Sequence, residues 1–230
     1  MFEADAMRFV ASHTNVPIPK VYNACEKDGK GYILMSKIDG RPLWNVLSGI
    51  TEQEKENLVE ELGGYIKSWR SLSAEYFGSV GSGPCQDVFF QHLPGYRRPD
   101  KTYGPYRSRK DYNDGLVEAL KNGRPTGCLS ESDQILVDRM MALCDDRKVF
   151  SHGDLHPDNI FVDDRCKIVA ILDWGASGFS IPEREYFEAR SRSKHHVWTE
   201  IIDRVLPVLS SDEYETFERF NKALVLYSGV

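Results

Sequence analysis

Apolar positions recur along this chain with two different periods, and the changes from one to the other mark out its elements. Met7, Val10 and Ala11 fall at helical spacing beside Ala6, and Pro17 and Pro19 stop the helix they predict between Glu3 and Ser12. Lys20 to Ala24 and Tyr32 to Met35 are β-prone and flank a polar, glycine-bearing stretch from Glu26 to Gly31, which predicts a hairpin. Asp39-Gly40-Arg41-Pro42 breaks that pattern. Leu43, Trp44 and Leu47, and then Leu58, Leu62, Tyr65, Ile66 and Trp69, recur at helical intervals as far as Leu72. The second of these runs predicts a long amphipathic helix opened by Thr51, with Glu54 completing a capping box. Trp44 and Trp69 are expected in the core.

Phe77 to Gly115 is rich in Gly, Pro and Tyr and carries two basic aromatic runs, Tyr96-Arg97-Arg98 and Tyr103-Gly104-Pro105-Tyr106-Arg107. A connection of that length is usually a functional loop or a disordered one. Helical patterning returns at Asp111 to Lys121 and at Ser130 to Cys144. Val149 to Ser151, Ile160 to Val162 and Lys167 to Leu172 then read as short strands, with Asp163 to Cys166 turning between the last two; from Glu183 onward the pattern is helical. There is no internal repeat, low-complexity tract or inter-domain linker.

Composition narrows the partners. A formal charge of −6 and a pI near 5.6 leave little surface suited to tracking phosphate backbones, so nucleic acid is not expected. Cys25, Cys85, Cys128, Cys144 and Cys166 are odd in number and lack CxxC spacing, which fits a reducing compartment. Glu3 and Asp5 stand where a secretory signal wants basic residues, and no stretch reaches membrane-span length; a cytoplasmic protein without membrane contact is expected.

The chemistry lies in Ser151-His152-Gly153-Asp154-Leu155-His156-Pro157-Asp158-Asn159, followed after one hairpin by Ile171-Leu172-Asp173-Trp174-Gly175. Singly, Asp154 or Asp173 would read as a turn or cap residue. Together the two pieces have the form H-x-D-x-x-x-x-N followed by D-x-G, the order in which phosphotransferases place their catalytic loop and metal aspartate. Phosphoryl transfer asks for a carboxylate to take the attacking hydroxyl's proton and for oxygen ligands that hold Mg²⁺ against phosphates. An antiparallel hairpin between Asn159 and Asp173 returns the chain to its starting end and brings the oxygens together.

These residues resemble the aminoglycoside-phosphotransferase and choline-kinase-like family, including its many fungal members. The resemblance extends more weakly to Glu3-Ala4-x-Ala6-Met7-Arg8-Phe9-Val10 and Val16 to Tyr22, similar to that family's αC helix and fourth strand. It extends also to Tyr32-Ile33-Leu34-Met35, similar to the fifth, and to the Tyr103 to Tyr106 turn. It implies an α+β, protein-kinase-like fold, with residues 1–37 as the remnant of an N-terminal lobe, one helix plus a β-hairpin. Residues 38–230 would form a mostly helical C-terminal lobe. It implies that Asp154 is the catalytic base with His152 supporting the loop, that Asn159 and Asp173 bind Mg²⁺, and that Ser36, Lys37 and Ile38 contact the adenine of ATP. Glu3 would be the αC glutamate. Tyr103, Tyr106 and Arg107 form a candidate substrate loop.

In such folds a glycine-rich loop and a lysine-bearing strand precede αC, whereas this chain starts at αC; losing one such electrostatic donor costs about 3 to 4 kcal/mol of transition-state stabilisation. Three readings therefore stay open: Mg·ATP-dependent phosphoryl transfer to a small-molecule hydroxyl; ATP-independent acid–base chemistry, without cofactor, in which Asp154, Asp173 and His152 handle protons for a cyclisation, elimination or isomerisation; and a binding pseudoenzyme. The strand from Tyr32 to Lys37 is expected to present an unpaired edge, covered by the opening segment or by a second copy in a homodimer. Glu183, Glu185 and Glu188 followed by Arg190, Arg192 and Lys194, with Arg97, Arg98, Arg107 and Arg109, make a mixed acceptor region better suited to an anionic or aromatic metabolite than to a polycationic aminoglycoside.

Overall fold

The computed structural model describes residues 2–91 and 101–226; Tyr96, Arg97 and Arg98 of the first basic run lie outside them. Helix α1 (Phe2–His13) buries Ala4, Ala6, Met7 and Val10 and packs on a 3₁₀ turn at Trp174–Ala176. Strands β1 (Val21–Lys27) and β2 (Lys30–Met35) follow as an antiparallel hairpin. They run further than the alternation suggested, right up to a two-residue turn at Asp28 (φ 53°) and Gly29 (φ 71°). Both residues take the left-handed conformation whose twist matches that of paired strands, and Asp-Gly supplies it at low cost. Only the foot of the hairpin, at Val21 and Met35, meets the core; Tyr22, Tyr32 and Leu34 are 51 to 62% exposed. Among the described residues no segment, α1 included, hydrogen-bonds to the outer edge of β2.

The break at Arg41–Pro42 is a short strand, β3, which pairs with β5 (Ile160–Val162), itself antiparallel to β6 (Ile168–Ile171). The next apolar run forms two 3₁₀ turns instead of a helix, at Leu43–Asn45 and Leu47–Gly49. Leu43 and Leu47 face inward, but Trp44, expected in the core, is 47% exposed. One residue of 3₁₀ backbone rotates the side chain by a third of a turn, away from the direction its neighbour takes. Helix α2 (Glu52–Arg70) has the expected capping box of Thr51 and Glu54, and buries Leu58, Leu62, Ile66 and Trp69.

A second core gathers around α3 (Val88–Gln91), α4 (Arg109–Asn122), α5 (Glu131–Ala142) and α8 (Ser211–Val225). Ser108 caps α4, while α5 and α8 open on capping boxes, Ser130 with Asp133 and Ser210 with Glu213. Between the two cores runs α6 (Arg184–Arg192), which gives Tyr186 and Ala189 to the first and Phe187 to the second; α7 (His196–Val205) packs on α2. Strand β4 (Val149–Ser151) pairs with β7 (Gly178–Ser180), a partner absent from the sequence reading because Gly-Phe-Ser carries a single apolar residue and no β-branched one. All five cysteines are free thiols. Among the described residues no helix is long and apolar enough to cross a membrane.

Candidate active site

The loop from His152 to Asn159 leaves β4 and enters β5, so both of its ends are set by sheet pairing. Beneath it lies Glu185, fully buried, whose carboxylate accepts N–H bonds from His152 (2.7 Å), Gly153 (3.3 Å) and the Trp69 indole (3.2 Å). Gly153 has φ +81°, and a Cβ there would lie 2.6 Å from the Ala176 carbonyl and collide with the Arg184 guanidinium. Only glycine fits. Arg184 is fully buried, held by Asp87 at 2.8 Å and Glu188 at 2.9 Å, and donates to Ala176 O at 2.6 Å, which ties the segment after Asp173 to α6.

His152 is sealed at 0% exposure. Its Nδ1 accepts from the Asp154 N–H at 3.2 Å, so the other nitrogen carries the proton and donates to Leu172 O at 2.8 Å. Burial also holds the imidazole below its ordinary pKa, against the pull of Glu185. A neutral ring engaged at both nitrogens positions the loop; it is not available for the proton-handling role that the ATP-independent reading gave it.

Asp154, Asn159 and Asp173 come together at one end of the β5–β6 hairpin. The Asn159 side-chain amide donates to the Asp154 main-chain carbonyl at 2.9 Å, and the Asn159 main-chain carbonyl accepts from Leu172 N–H at 2.9 Å, immediately before Asp173. Asp173 itself sits in the left-handed region at φ 59°, ψ 61°, a conformation that aspartate tolerates better than most residues. Glu3 is close by: its carboxyl is raised above its ordinary value first by burial and then by the charge of Asp173. The Asp154 carboxylate is 2.9 Å from Arg192 Nε through Oδ1, without hydrogen-bond alignment, and 3.9 Å from His156 Nε2 through Oδ2.

The site's donor set suits Mg²⁺. Asn159 spends its side-chain N–H on the loop and keeps its side-chain oxygen, the Asp173 carboxylate accepts no hydrogen bond within the described residues, and Glu3 adds a third carboxyl beside it. Among the described residues no group of three His, Cys, Asp or Glu converges on a metal position. Two protein oxygens with room for water and phosphate is the usual arrangement for a small, reluctantly dehydrated ion.

Other expected site residues scatter. Ser36 closes the foot of the hairpin, its N–H to Lys20 O at 2.9 Å and its hydroxyl accepting from Lys20 N at 3.0 Å. Lys37 is solvated beside Asp39, and the main chain of Lys37 and Ile38 makes no hydrogen bond within the described residues. A cleft of about 380 Å³ lies between this hairpin and α1, lined by Phe2, Glu3, Gly31, Ile33 and Met35. Tyr103, expected in a substrate loop, is instead 2% exposed and stacked on Phe90 at 5.1 Å, and Tyr106 packs over Gly115 in the same second core; Arg107 alone of the three is exposed. Aromatic rings next to tight turns fill cores as readily as they grip ligands. Arg109, expected in the acceptor region, is buried against Glu183 at 3.2 Å, so these two are also spent on structure, as are Glu185 and Glu188. Arg192, noted only as one charge in a mixed run, is the residue of that run whose charge lies against the Asp154 carboxylate.

Residues 1–192 match the model of APH, the phosphotransferase enzyme family. No curated protein matches the chain. Among solved structures, a thermostable mutant of aminoglycoside phosphotransferase APH(4)-Ia in ternary complex with ADP and hygromycin B superposes with a TM-score of 0.59 at 15% identity, covering 98% of this chain and 75% of that one. The GDP and kanamycin complex of APH(2")-IIia gives a TM-score of 0.57 at 16% identity, over 97% of this chain and 73% of that one. ADP-bound APH(2'')-Ib gives 0.56 at 14%, over 98% and 68%. At such identities the likeness is one of fold, and it is the kinase-like fold read from the catalytic loop. With the family matched through both the loop and Asp173, the chain belongs to the APH phosphotransferase enzyme family.

Proposed function

We propose that the protein transfers the γ-phosphoryl group of Mg·ATP to a hydroxyl of a small molecule. The observation that carries this reading is the convergence of Asp154, Asn159 and Asp173 at one hairpin end, tied together through the Asn159 amide and the Leu172 backbone. Asp154 would face the acceptor and take its proton. Asn159 and Asp173 would hold Mg²⁺, which when bound neutralises phosphate charge, and the free main chain at Lys37 and Ile38 would receive the adenine edge. Glu3, beside Asp173 at the mouth of the hairpin cleft, would border the phosphates. Family membership and the nucleotides in the similar structures support the same reading. Nucleotide-free acid–base chemistry is disfavoured, since it loses one of its three proton carriers with the engagement of His152.

Calorimetric titration of Mg·ATP tests it. Wild-type protein should bind, and Asp173→Ala should lose at least tenfold in affinity. Asp154→Asn should keep the nucleotide while transfer to any accepted hydroxyl falls by about 10² to 10⁴. Absence of Mg·ATP binding to the wild type would refute the proposal.

A further inference from the structure

Helix α6 carries three arginines along its length, and they differ in what holds them. Arg184 is committed to Asp87, Glu188 and the Ala176 carbonyl, and Arg190 to Asp203 and Thr199. Arg192, the last residue of the helix, contacts a single carboxylate, that of Asp154, and its terminal nitrogens have no partner within the described residues. The contact is one of charge: Nε is 2.9 Å from Oδ1, yet Oδ1 receives no hydrogen bond. The Arg192 side chain is 41% exposed and that of Asp154 19%. Exposed, poorly aligned pairs contribute little, so an incoming ligand can take this guanidinium away from Asp154 at small cost.

We propose that the acceptor is an anion, a hydroxylated small molecule bearing a carboxylate or phosphate, and that Arg192 is the residue that selects it. The inference rests on the reading of Asp154 as the group facing the acceptor hydroxyl. A guanidinium presents paired N–H donors in a plane that matches an oxyanion, and it is held here beside the carboxylate that must meet the hydroxyl. Once Arg192 turns to the ligand's anion, the Asp154 carboxylate is left free to face the acceptor hydroxyl. A polycation gains nothing from this corner, because the charge it would seek on Asp154 is already met by Arg192, with His156 close to the other oxygen.

The test uses four ligands on one skeleton, with no nucleotide present: gluconate, sorbitol phosphate, sorbitol and glucamine, titrated into the full-length protein. Wild type should bind gluconate or sorbitol phosphate at least tenfold more tightly than the neutral and cationic members, and whichever anion is preferred identifies the acidic group. Arg192→Gln should erase the preference, Arg192→Lys should retain part of it, and unchanged thermal unfolding of the lysine variant should show that the fold persists. Equal weakening of all four ligands in Arg192→Gln, binding of sorbitol or glucamine as tight as that of the anions, or no anion binding at millimolar concentration would each overturn the inference. Phosphoryl transfer fails separately, through the Mg·ATP titration.

Discussion

At the scale of single residues, the site depends on two backbone positions that most side chains would not accept. Asp173 holds φ 59°, ψ 61°, where a non-glycine residue carries about 1 to 3 kcal/mol of strain. Asp173→Gly should relieve that strain, raising the urea midpoint, while abolishing Mg·ATP binding in the same titration; a variant that bound the nucleotide normally would remove Asp173 from the metal site. Gly153→Ala should act in the opposite sense, lowering stability by about 2 kcal/mol or more in urea denaturation, because the added carbon meets Ala176 and Arg184 from a left-handed backbone. Asp154, Asn159 and Asp173 were legible because the geometry that joins them is local: one loop and one hairpin. Glu185 and Arg192 were not. Each touches the loop from a helix well downstream in the chain, and nothing in a run of acids followed by bases says which one turns inward.

Elements were legible to the extent that their ends were chemically marked. Thr51 with Glu54 names the start of α2, and the structure puts the capping box there. Thr51→Ala should cost about 1 kcal/mol, a fall of roughly 2 to 4 °C in the unfolding midpoint for a chain of this size, by scanning calorimetry. Trp44 misled because 3₁₀ turns and an α-helix share their apolar spacing over so few residues, yet point the intervening side chains differently. The β1–β2 hairpin was found but drawn too short, since polar residues on a solvated ribbon look like loop. Such a ribbon, attached to the core only at its foot, should open independently. Hydrogen exchange should therefore be much faster at Ala24, Cys25 and Tyr32 than at Ile160 and Ile171, whose strands are buried; equal protection would mean that the hairpin is covered in solution.

For the whole molecule, the joint between the two cores is electrostatic as well as apolar. Asp87, Arg184 and Glu188 are buried together, two carboxylates on one guanidinium, with Ser180 donating to Asp87 at 2.6 Å. Burial pushes the Glu188 carboxyl up to about 8, against the pull of Arg184. Its folded value thus lies above the unfolded 4.5, so the folded protein holds an extra proton between the two. That contribution to stability is complete below about 4.5 and is lost as the pH climbs toward 8, with a slope of at most about 1.4 kcal/mol per pH unit. Glu188→Gln should flatten the decline in urea midpoint across that window; an unaltered slope would assign it to other groups. Glu185 carries a different consequence. One carboxylate fastens the His152–Asn159 loop to the indole of Trp69 at the far end of α2, so the loop's posture is inherited from the helix. A saturation scan scored on turnover alone would therefore draw the centre too wide, taking in a tryptophan that no ligand meets. Scoring the same library for abundance would not trim it away cleanly, because at that position keeping the protein folded and keeping it competent are one requirement.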